Sequence, residues 1–286
     1  MDYKQYEPET LKKVHRVDLE LLEVLVDLCN RHNIPCFAVY GTILGALRHK
    51  SFIPWDDDVD VGVMRKDYDR LIKLIREELS DKYNVVNPLI DNNYACTVTH
   101  FEKKGTRFVT SYNLNLDREF GICIDIFPFD NVADNPAAAK HQANKAWIWG
   151  RLLWLSGRAQ VALPFEGVKA TLARAVCYII HYVLKIFHIK PSWLYKHFVK
   201  AASKYNDKET KYITCFDDQY SLKHKYTVED IFPLREVPFE HFSVKIPNQS
   251  EKILTLTYGD YMTLPPVEQR RNHCPAILDF GDGNVV

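Results

Sequence analysis

Apolar residues recur at intervals of three or four along the first part of the chain, and this spacing is typical of amphipathic helices. The clearest case is residues 8–31, where Leu11, Leu21 and Leu28 fall on one face. Short apolar runs between turn residues predict strands instead. The elements predicted for this part are a helix over 8–31, a strand over 36–40, a helix over 43–49 that opens just after Gly41-Thr42, and a helix over 67–79.

An alternating segment between the last two of these helices carries the first candidate chemistry. Asp58 and Asp60 are two residues apart, so on a strand they share one face, while Val59, Val61 and Val63 share the other. The valine face can be buried, which leaves two carboxylates side by side. Such carboxylates repel each other unless a cation lies between them, and oxygen ligands favour Mg²⁺ or Mn²⁺.

Three other interpretations of the acidic segment remain open. It could be a solvated loop, or a helix N-terminus that favours acids. It could also be a calcium loop, since Asp56, Asp58 and Asp60 fit the D-x-D-x-D pattern. That pattern requires glycine where Val61 stands and glutamate where Asp67 stands, so the sequence favours the magnesium site.

A second acid interrupts an apolar strand at residues 121–130. Ile122, Ile124 and Ile126 share one face, and Asp125 lies on the other. A lone acid in such a strand needs either a buried arginine partner or a metal ion. Further predictions are an antiparallel hairpin of 94–101 with 106–110, and a helix-capping role for Asp130.

The chain changes character over residues 136–198, which are helical, aromatic and basic in pattern. Residues 172–189 are apolar except for a stripe of Arg174, His181, Lys185 and His188. This stripe argues against a membrane-spanning helix and fits one that lies at a membrane surface. The alternative is a helix packed on the catalytic domain with its basic edge in water.

Composition narrows the choice of function. The 286 residues carry 37 Lys and Arg against 37 Asp and Glu, and this zero net charge argues against a general nucleic-acid binder. Seven cysteines without a C-x-x-C pair are typical of reduced thiols in a cytosol. The polar opening residues do not have the form of a signal peptide, so we expect a cytoplasmic protein, with or without peripheral contact to the membrane.

Two motifs resemble those of the LicD family of phosphocholine transferases, within the nucleotidyltransferase-fold superfamily. Residues 41–60 read Gly-Thr-x-Leu-Gly-Ala-x-Arg-His-Lys-x-Phe-Ile-Pro-Trp-Asp-Asp-Asp-x-Asp, and residues 258–266 read Tyr-Gly-Asp-Tyr-Met-x-Leu-Pro-Pro. The resemblance implies an α+β fold with a mixed sheet, flanking helices and a helical insertion. The domains expected are a catalytic core over 1–135, the insertion over 136–205 and a completing C-terminal part over 206–286.

The resemblance also implies an activity, namely transfer of phosphocholine or a related phospho-alcohol from CDP-choline or a similar donor. The acceptor would be a hydroxyl of a cell-surface glycan, such as lipopolysaccharide or teichoic acid, or of its lipid-linked precursor. Asp58, Asp60 and Asp125 would bind Mg²⁺ or Mn²⁺, with Asp125 as a ligand or as the base. The residues expected at the substrate are Gly41, Thr42, Arg48, Lys50 and His273.

Each substrate residue also has a structural interpretation. Gly41-Thr42 could be a plain helix-capping turn, Arg48 and Lys50 could be surface charges, and His273 could cap the loop at Pro265-Pro266. Two alternative functions remain as well. One is a nucleotidyltransferase that releases pyrophosphate, and the other is an inactive, membrane-associated partner protein.

Overall fold

The computed structural model describes residues 5–114, 116–161, 163 and 165–283. Within these ranges the helices are α1 Pro8–Arg31, α2 Tyr40–His49, α3 Arg65–Glu78, α4 Pro136–Gly157, α5 Val168–Ile186, α6 Pro191–Ala202, α7 Val228–Ile231 and α8 Ser250–Tyr258, with a 3₁₀ turn at Val267–Gln269. The strands are β1 Cys36–Ala38, β2 Asp60–Met64, β3 Tyr83–Val86, β4 Thr99–Lys103, β5 Arg107–Val109, β6 Cys123–Val132, β7 Tyr212–Cys215, β8 Tyr226–Thr227, β9 Arg235–Phe239, β10 Phe242–Ile246 and β11 Ile277–Asp279.

Seven of the described strands form one mixed sheet in the order β1-β2-β6-β4-β3, and β7 and β8 extend it from the far half of β6. The pair β2–β6 is parallel, and the other pairs are antiparallel. Strand β6 is the longest because its first half pairs with β4 and its second half with β7. The predicted α+β fold is confirmed.

Helix α1 has the predicted bounds and buries the predicted face. Val14, Leu21, Leu25 and Leu28 are fully buried, and the helix lies against β4 and β6. Its apolar stripe, repeated every three or four residues, can cover a sheet only from one side. Helix α1 therefore covers strands β4 and β6, the second of which carries Asp125.

Three local predictions are wrong in their detail. Helix α2 begins at Tyr40, before Gly41-Thr42 rather than after it. The hairpin of 94–101 with 106–110 does not form, since β4 lies between β3 and β6 while β5 pairs with β11. Asp58 precedes β2, although the backbone pairing continues to Val59, whose carbonyl accepts the Asp125 N–H at 2.8 Å. Short apolar runs do not encode which run they pair with, because every strand offers the same backbone groups.

Helices α4 and α6 pack closely against each other and form a second hydrophobic cluster around Leu153, Leu194 and Phe198. Helix α5 is different, because among the described residues it buries only Ala170 and His181. His181 faces the Leu155 carbonyl at 2.7 Å, so it leaves the predicted basic stripe, while Arg174 and Lys185 remain exposed.

No single helix within the described ranges has the length and apolar content needed to cross a membrane. Helices α5 and α6, bent by 113° relative to each other, meet these requirements only when taken together.

Candidate active site

Adjacent strands bring three polar side chains into one row across the sheet. The parallel register of β2 and β6 places Asp60 opposite Asp125, and the antiparallel register of β6 and β4 places Asp125 opposite His100. Residues in direct register point to the same face. Val61 and Ile126, one position further on, are also in register and are buried on the opposite face. The alternation predicted for the two strands is therefore what sets the two acids side by side.

Helix α2 closes one end of this row. The Thr42 hydroxyl accepts the backbone N–H of Asp60 at 2.8 Å, and both residues are buried. The Thr42 N–H donates to the Val39 carbonyl at 3.0 Å, which is a bond at the start of the helix. A Cβ on Gly41 would lie 3.3 Å from a carboxylate oxygen of Asp56, so glycine lets the helix approach the acidic loop closely.

Asp57 anchors the acidic loop rather than offering a free carboxylate. It is buried, and its two oxygens accept the Tyr6 hydroxyl at 2.6 Å and the His273 backbone N–H at 2.7 Å. His15 holds the same loop through the carbonyl of Asp56 at 2.7 Å. The loop is thus fixed from both the N-terminal helix and the C-terminal segment, and Asp56 and Asp58 project from it.

His273 reaches the acids instead of the proline loop. Its Nδ1 lies 3.4 Å from an oxygen of Asp57 and 3.4 Å from an oxygen of Asp58, while its side chain stays 64% exposed. Contact with Asp57 and the nearby carboxylates Asp58 and Asp56 raise the pKa of His273 to about 9. At neutral pH the ring is therefore a cation at the mouth of the site.

The carboxylates are held in an environment that disfavours their charge. Burial, then Asp58 and Asp125, raise the pKa of Asp60 well above its usual range. Burial and the charges of Asp58 and Asp57 raise the pKa of Asp56 to about 8. Burial raises the pKa of Asp125 to about 6, although His100 opposes this effect. A group of acids that repel one another in this way is stabilised by an added cation.

The donor set suits a hard divalent cation. Three ligand atoms lie within 4.8 Å of one another in two groups of described residues, Asp56-Asp57-His273 and His100-Cys123-Asp125. Neither group is a ready site, because both Asp57 oxygens are already bonded and burial keeps the pKa of the Cys123 thiol high. Asp58 and Asp60 belong to neither group. Their surplus negative charge and oxygen ligands still fit Mg²⁺ or Mn²⁺, and the predicted ligand set stays a prediction.

Comparison with known protein families bears on these residues. Residues 33–170 match the family described as LicD/FKTN/FKRP, nucleotidyltransferase domain. This chain carries a LicD-family domain. The matched segment contains the acidic loop, α2 and Asp125, whereas His273 lies beyond it.

Similarity to one relative extends well beyond the LicD-family domain. The chain is 28% identical over 268 residues to the lipopolysaccharide cholinephosphotransferase LicD of Haemophilus influenzae. The aligned region covers 92% of this chain and 96% of the relative. Two shorter matches are uncharacterized proteins, RP689 of Rickettsia prowazekii and RT0683 of Rickettsia typhi. Each is 42% identical over 48 residues, or 17% of this chain.

The two basic residues predicted from the LicD-like motif take different positions. Arg48 donates to the Tyr261 carbonyl at 2.7 Å and lies 5.8 Å from the centre of the Trp55 ring. The motif at 41–60 is therefore tied to the motif at 258–266. Lys50 ends α2 in the left-handed conformation with φ of 56°, and no contact of its side chain with the acids is found in the described part of the chain.

The sequence analysis did not identify two residues that contact predicted site residues or the LicD-like motif, namely Arg270 and His100. Arg270 lies over the Trp55 ring at 4.3 Å. The guanidinium groups of Arg48 and Arg270 therefore both lie close to this indole. His100 lies 3.5 Å from Asp125 on one side and 3.5 Å from Glu102 on the other. No local pattern marks His100, since strand β4 is mostly polar, and its partner Asp125 is 25 residues further along the chain.

Proposed function

We propose that this protein transfers phosphocholine, or a related phospho-alcohol, from a CDP-activated donor to a hydroxyl of lipopolysaccharide or another cell-surface glycan. The observation that carries the proposal is the register of Asp60 with Asp125 beside the anchored acidic loop. The cholinephosphotransferase relative supports it, because the similarity covers 92% of this chain.

The reaction forms one oxygen–phosphorus bond and breaks another. The acceptor hydroxyl attacks the phosphorus that carries the alcohol, the bond from that phosphorus to the bridging oxygen breaks, and CMP leaves with the electron pair. We assign Asp125 either as the base that accepts the hydroxyl proton or as a metal ligand, and its pKa of about 6 suits proton uptake near neutral pH in the first case. His100, 3.5 Å from Asp125, holds that carboxylate in position.

The remaining residues bind and orient the charged donor. Mg²⁺ or Mn²⁺ held by Asp58 and Asp60 would offset the charge of the diphosphate, and Asp125 is a further ligand where it does not act as the base. The protonated His273 beside Asp58 can donate a hydrogen bond to a phosphoryl oxygen. Arg48 and Arg270, which flank Trp55, supply further positive charge for an anion.

The proposed reaction is tested by analysing its products by mass. Purified protein is incubated with lipopolysaccharide, MgCl₂ and each of CDP-choline, CDP-ethanolamine, CDP-glycerol and CDP-ribitol. We expect CMP and a phospho-alcohol-modified acceptor, both lost with excess EDTA and restored by added Mg²⁺. Full activity in excess EDTA would contradict the metal role. Release of pyrophosphate from a nucleoside triphosphate would favour a nucleotidyltransferase, and no product from any donor would favour an inactive partner protein.

We also propose that helix α5 contacts the membrane surface where a lipid-linked acceptor lies. Five large apolar residues repeat along one exposed face, namely Leu172, Val176, Ile179, Val183 and Ile186. Their exposures reach 60% at Ile179 and 70% at Ile186. Arg174 and Lys185 are exposed on the same helix and can approach anionic headgroups, each adding roughly 1 kcal/mol.

Liposome flotation tests the membrane contact. We expect the protein to float with anionic vesicles at low salt, and to float less after Arg174→Glu with Lys185→Glu or after Ile179→Glu with Ile186→Glu. The matched control is Leu89→Glu, which adds a charge at an apolar residue 52% exposed elsewhere on the surface. Protein that stays in the soluble fraction at low salt, or variants that float like the wild type, would contradict this contact.

A further inference from the structure

A cavity of about 250 Å³ opens beside the row of acids. Asp58, Asp125 and His273 line it on the side of the proposed reaction. Five aromatic rings form part of the remaining wall, and they come from loops, a strand and helix α4. The rings that contribute are Tyr94, Phe108, Tyr112, Phe120 and Trp154. A group attached to the reacting phosphorus would therefore enter an aromatic chamber.

Asp18 on helix α1 also lines this cavity, and the proposed function has not used it. It lies on the buried face of the helix and is 1% exposed. Neither of its carboxylate oxygens has a hydrogen-bond partner among the described residues. An isolated carboxylate is costly to bury, more so than an uncharged polar group. Such a residue in the wall of a cavity must either bind a proton or be compensated by a cationic ligand.

The nearby charges make that requirement stronger. The charged groups that act most on Asp18 are Asp57, Asp58 and Asp125, and all three are negative. Asp18 belongs to neither of the described groups in which three ligand atoms lie within 4.8 Å, so its position does not favour a metal ligand. The compensating cation is therefore expected to be one that binds among aromatic rings.

The arginines near the cavity are already engaged. Arg118 lies over the Phe120 ring at 4.4 Å and pairs with Glu102 at 2.9 Å. Arg158 lies over Trp154 at 3.7 Å and donates to the Ala95 carbonyl at 2.9 Å. Arg158 thus occupies the Trp154 end of the chamber.

A quaternary ammonium meets the remaining demands of this chamber. It carries a full positive charge that can offset the charge of a carboxylate, and it has no N–H that needs an acceptor. Its methyl groups pack on aromatic faces, where the ring quadrupole attracts the charge. Primary ammonium groups and neutral polyols would instead need hydrogen-bond partners, which the rings of Phe108 and Phe120 do not offer.

We propose that Asp18, with the rings of Tyr94, Phe108 and Phe120, recognises the quaternary ammonium of the transferred phosphocholine group. This inference rests on the proposed function and assigns the residues that recognise the head group of its donor. The two-carbon linker of choline connects that head to the phosphorus, so a head bound in the chamber places the phosphorus towards Asp58 and Asp125. Asp18 would then select the alcohol without taking part in bond breaking.

Calorimetric binding of two probes tests the recognition without relying on turnover. The probes are phosphocholine and 3,3-dimethylbutyl phosphate, its neutral isostere with carbon in place of nitrogen. We expect wild-type protein to prefer phosphocholine by roughly tenfold or more. Asp18→Asn, which keeps the side-chain shape, should remove most of that preference. Because Asp18 makes no hydrogen bond, the melting temperature of the ligand-free variant should not fall.

A second variant guards against a folding defect in the first. Phe108→Leu keeps an apolar side chain but removes a ring, and it should also reduce the preference for phosphocholine. Equal binding of the two probes by the wild type, binding of neither, or an unchanged preference in both variants would overturn the ammonium site. CMP release is measured in parallel, and a preference for phosphocholine without any CMP release would refute the proposed function while leaving the ammonium site in place.

Discussion

Replacing Asp60 with alanine is expected to reduce transfer from CDP-choline by on the order of a thousandfold, the equivalent of several kcal/mol of lost charge stabilisation. Asp60 is buried, directly opposite Asp125, and held through its backbone N–H by Thr42. Asp58→Ala is expected to act in the same way. The measurement is CMP release under saturating Mg²⁺, compared as kcat and kcat/KM with the wild type.

Two observations separate this effect from a loss of folding. Burial and the neighbouring carboxylates raise the pKa of Asp60 above its unfolded value, so its ionised form lowers stability at neutral pH. The metal-free Asp60→Ala variant should therefore melt at a temperature no lower than that of the wild type. Asp69→Ala, at an exposed acid on α3, is the matched control and should retain activity. Near-normal kcat in Asp60→Ala would remove this residue from the site.

Replacing Asp130 with alanine is expected to lower the free energy of unfolding by about 3–5 kcal/mol. Asp130 is fully buried and accepts two hydrogen bonds from Arg65, at 2.9 and 2.7 Å, and a third from Asn206 at 2.6 Å. The substitution leaves the Arg65 guanidinium, only 10% exposed, without its counter-charge. Urea denaturation followed by circular dichroism measures the change.

An exposed ion pair provides the control for this prediction. Glu251 accepts from Arg235 at 2.6 Å, with both side chains at least 39% exposed, so Glu251→Ala should cost less than about 1 kcal/mol. The double variant Arg65→Met with Asp130→Leu removes both charges and should recover part of the lost stability. Equal losses in Asp130→Ala and Glu251→Ala would show that burial does not strengthen the Arg65–Asp130 pair.

The position of Asp130 was not predicted correctly from the residues around it. The sequence predicted a helix cap at this acid, but the cap of α4 is Asn135, whose side chain accepts the Ala138 N–H at 3.0 Å. Asp130 instead lies inside β6, because that strand continues through residues 127–132 to pair with β7. Nothing close in sequence indicates this extension, since β7 begins at Tyr212.

The sequence by itself determined the local periods and the chemistry of single segments. Alternation fixed the face of its own strand on which each of Asp60 and Asp125 lies, the spacing of apolar residues fixed helix α1, and the two motifs indicated the LicD-like family. These features depend on residues close together along the chain, where the periods of 2 and 3.6 set the direction of each side chain.

Only the tertiary structure decided which distant residues meet. Strand register placed His100 beside Asp125, the C-terminal segment brought His273 to Asp57 and Asp58, and the packing of α1 carried Asp18 into the cavity wall. A slip of one residue in the β4–β6 pair would turn His100 and Asp125 to opposite faces of the sheet. The register is fixed by burial over the whole sheet rather than by any one strand. Buried acids such as Asp18 carry no local pattern that separates them from surface acids, because burial is a property of the packed elements around them.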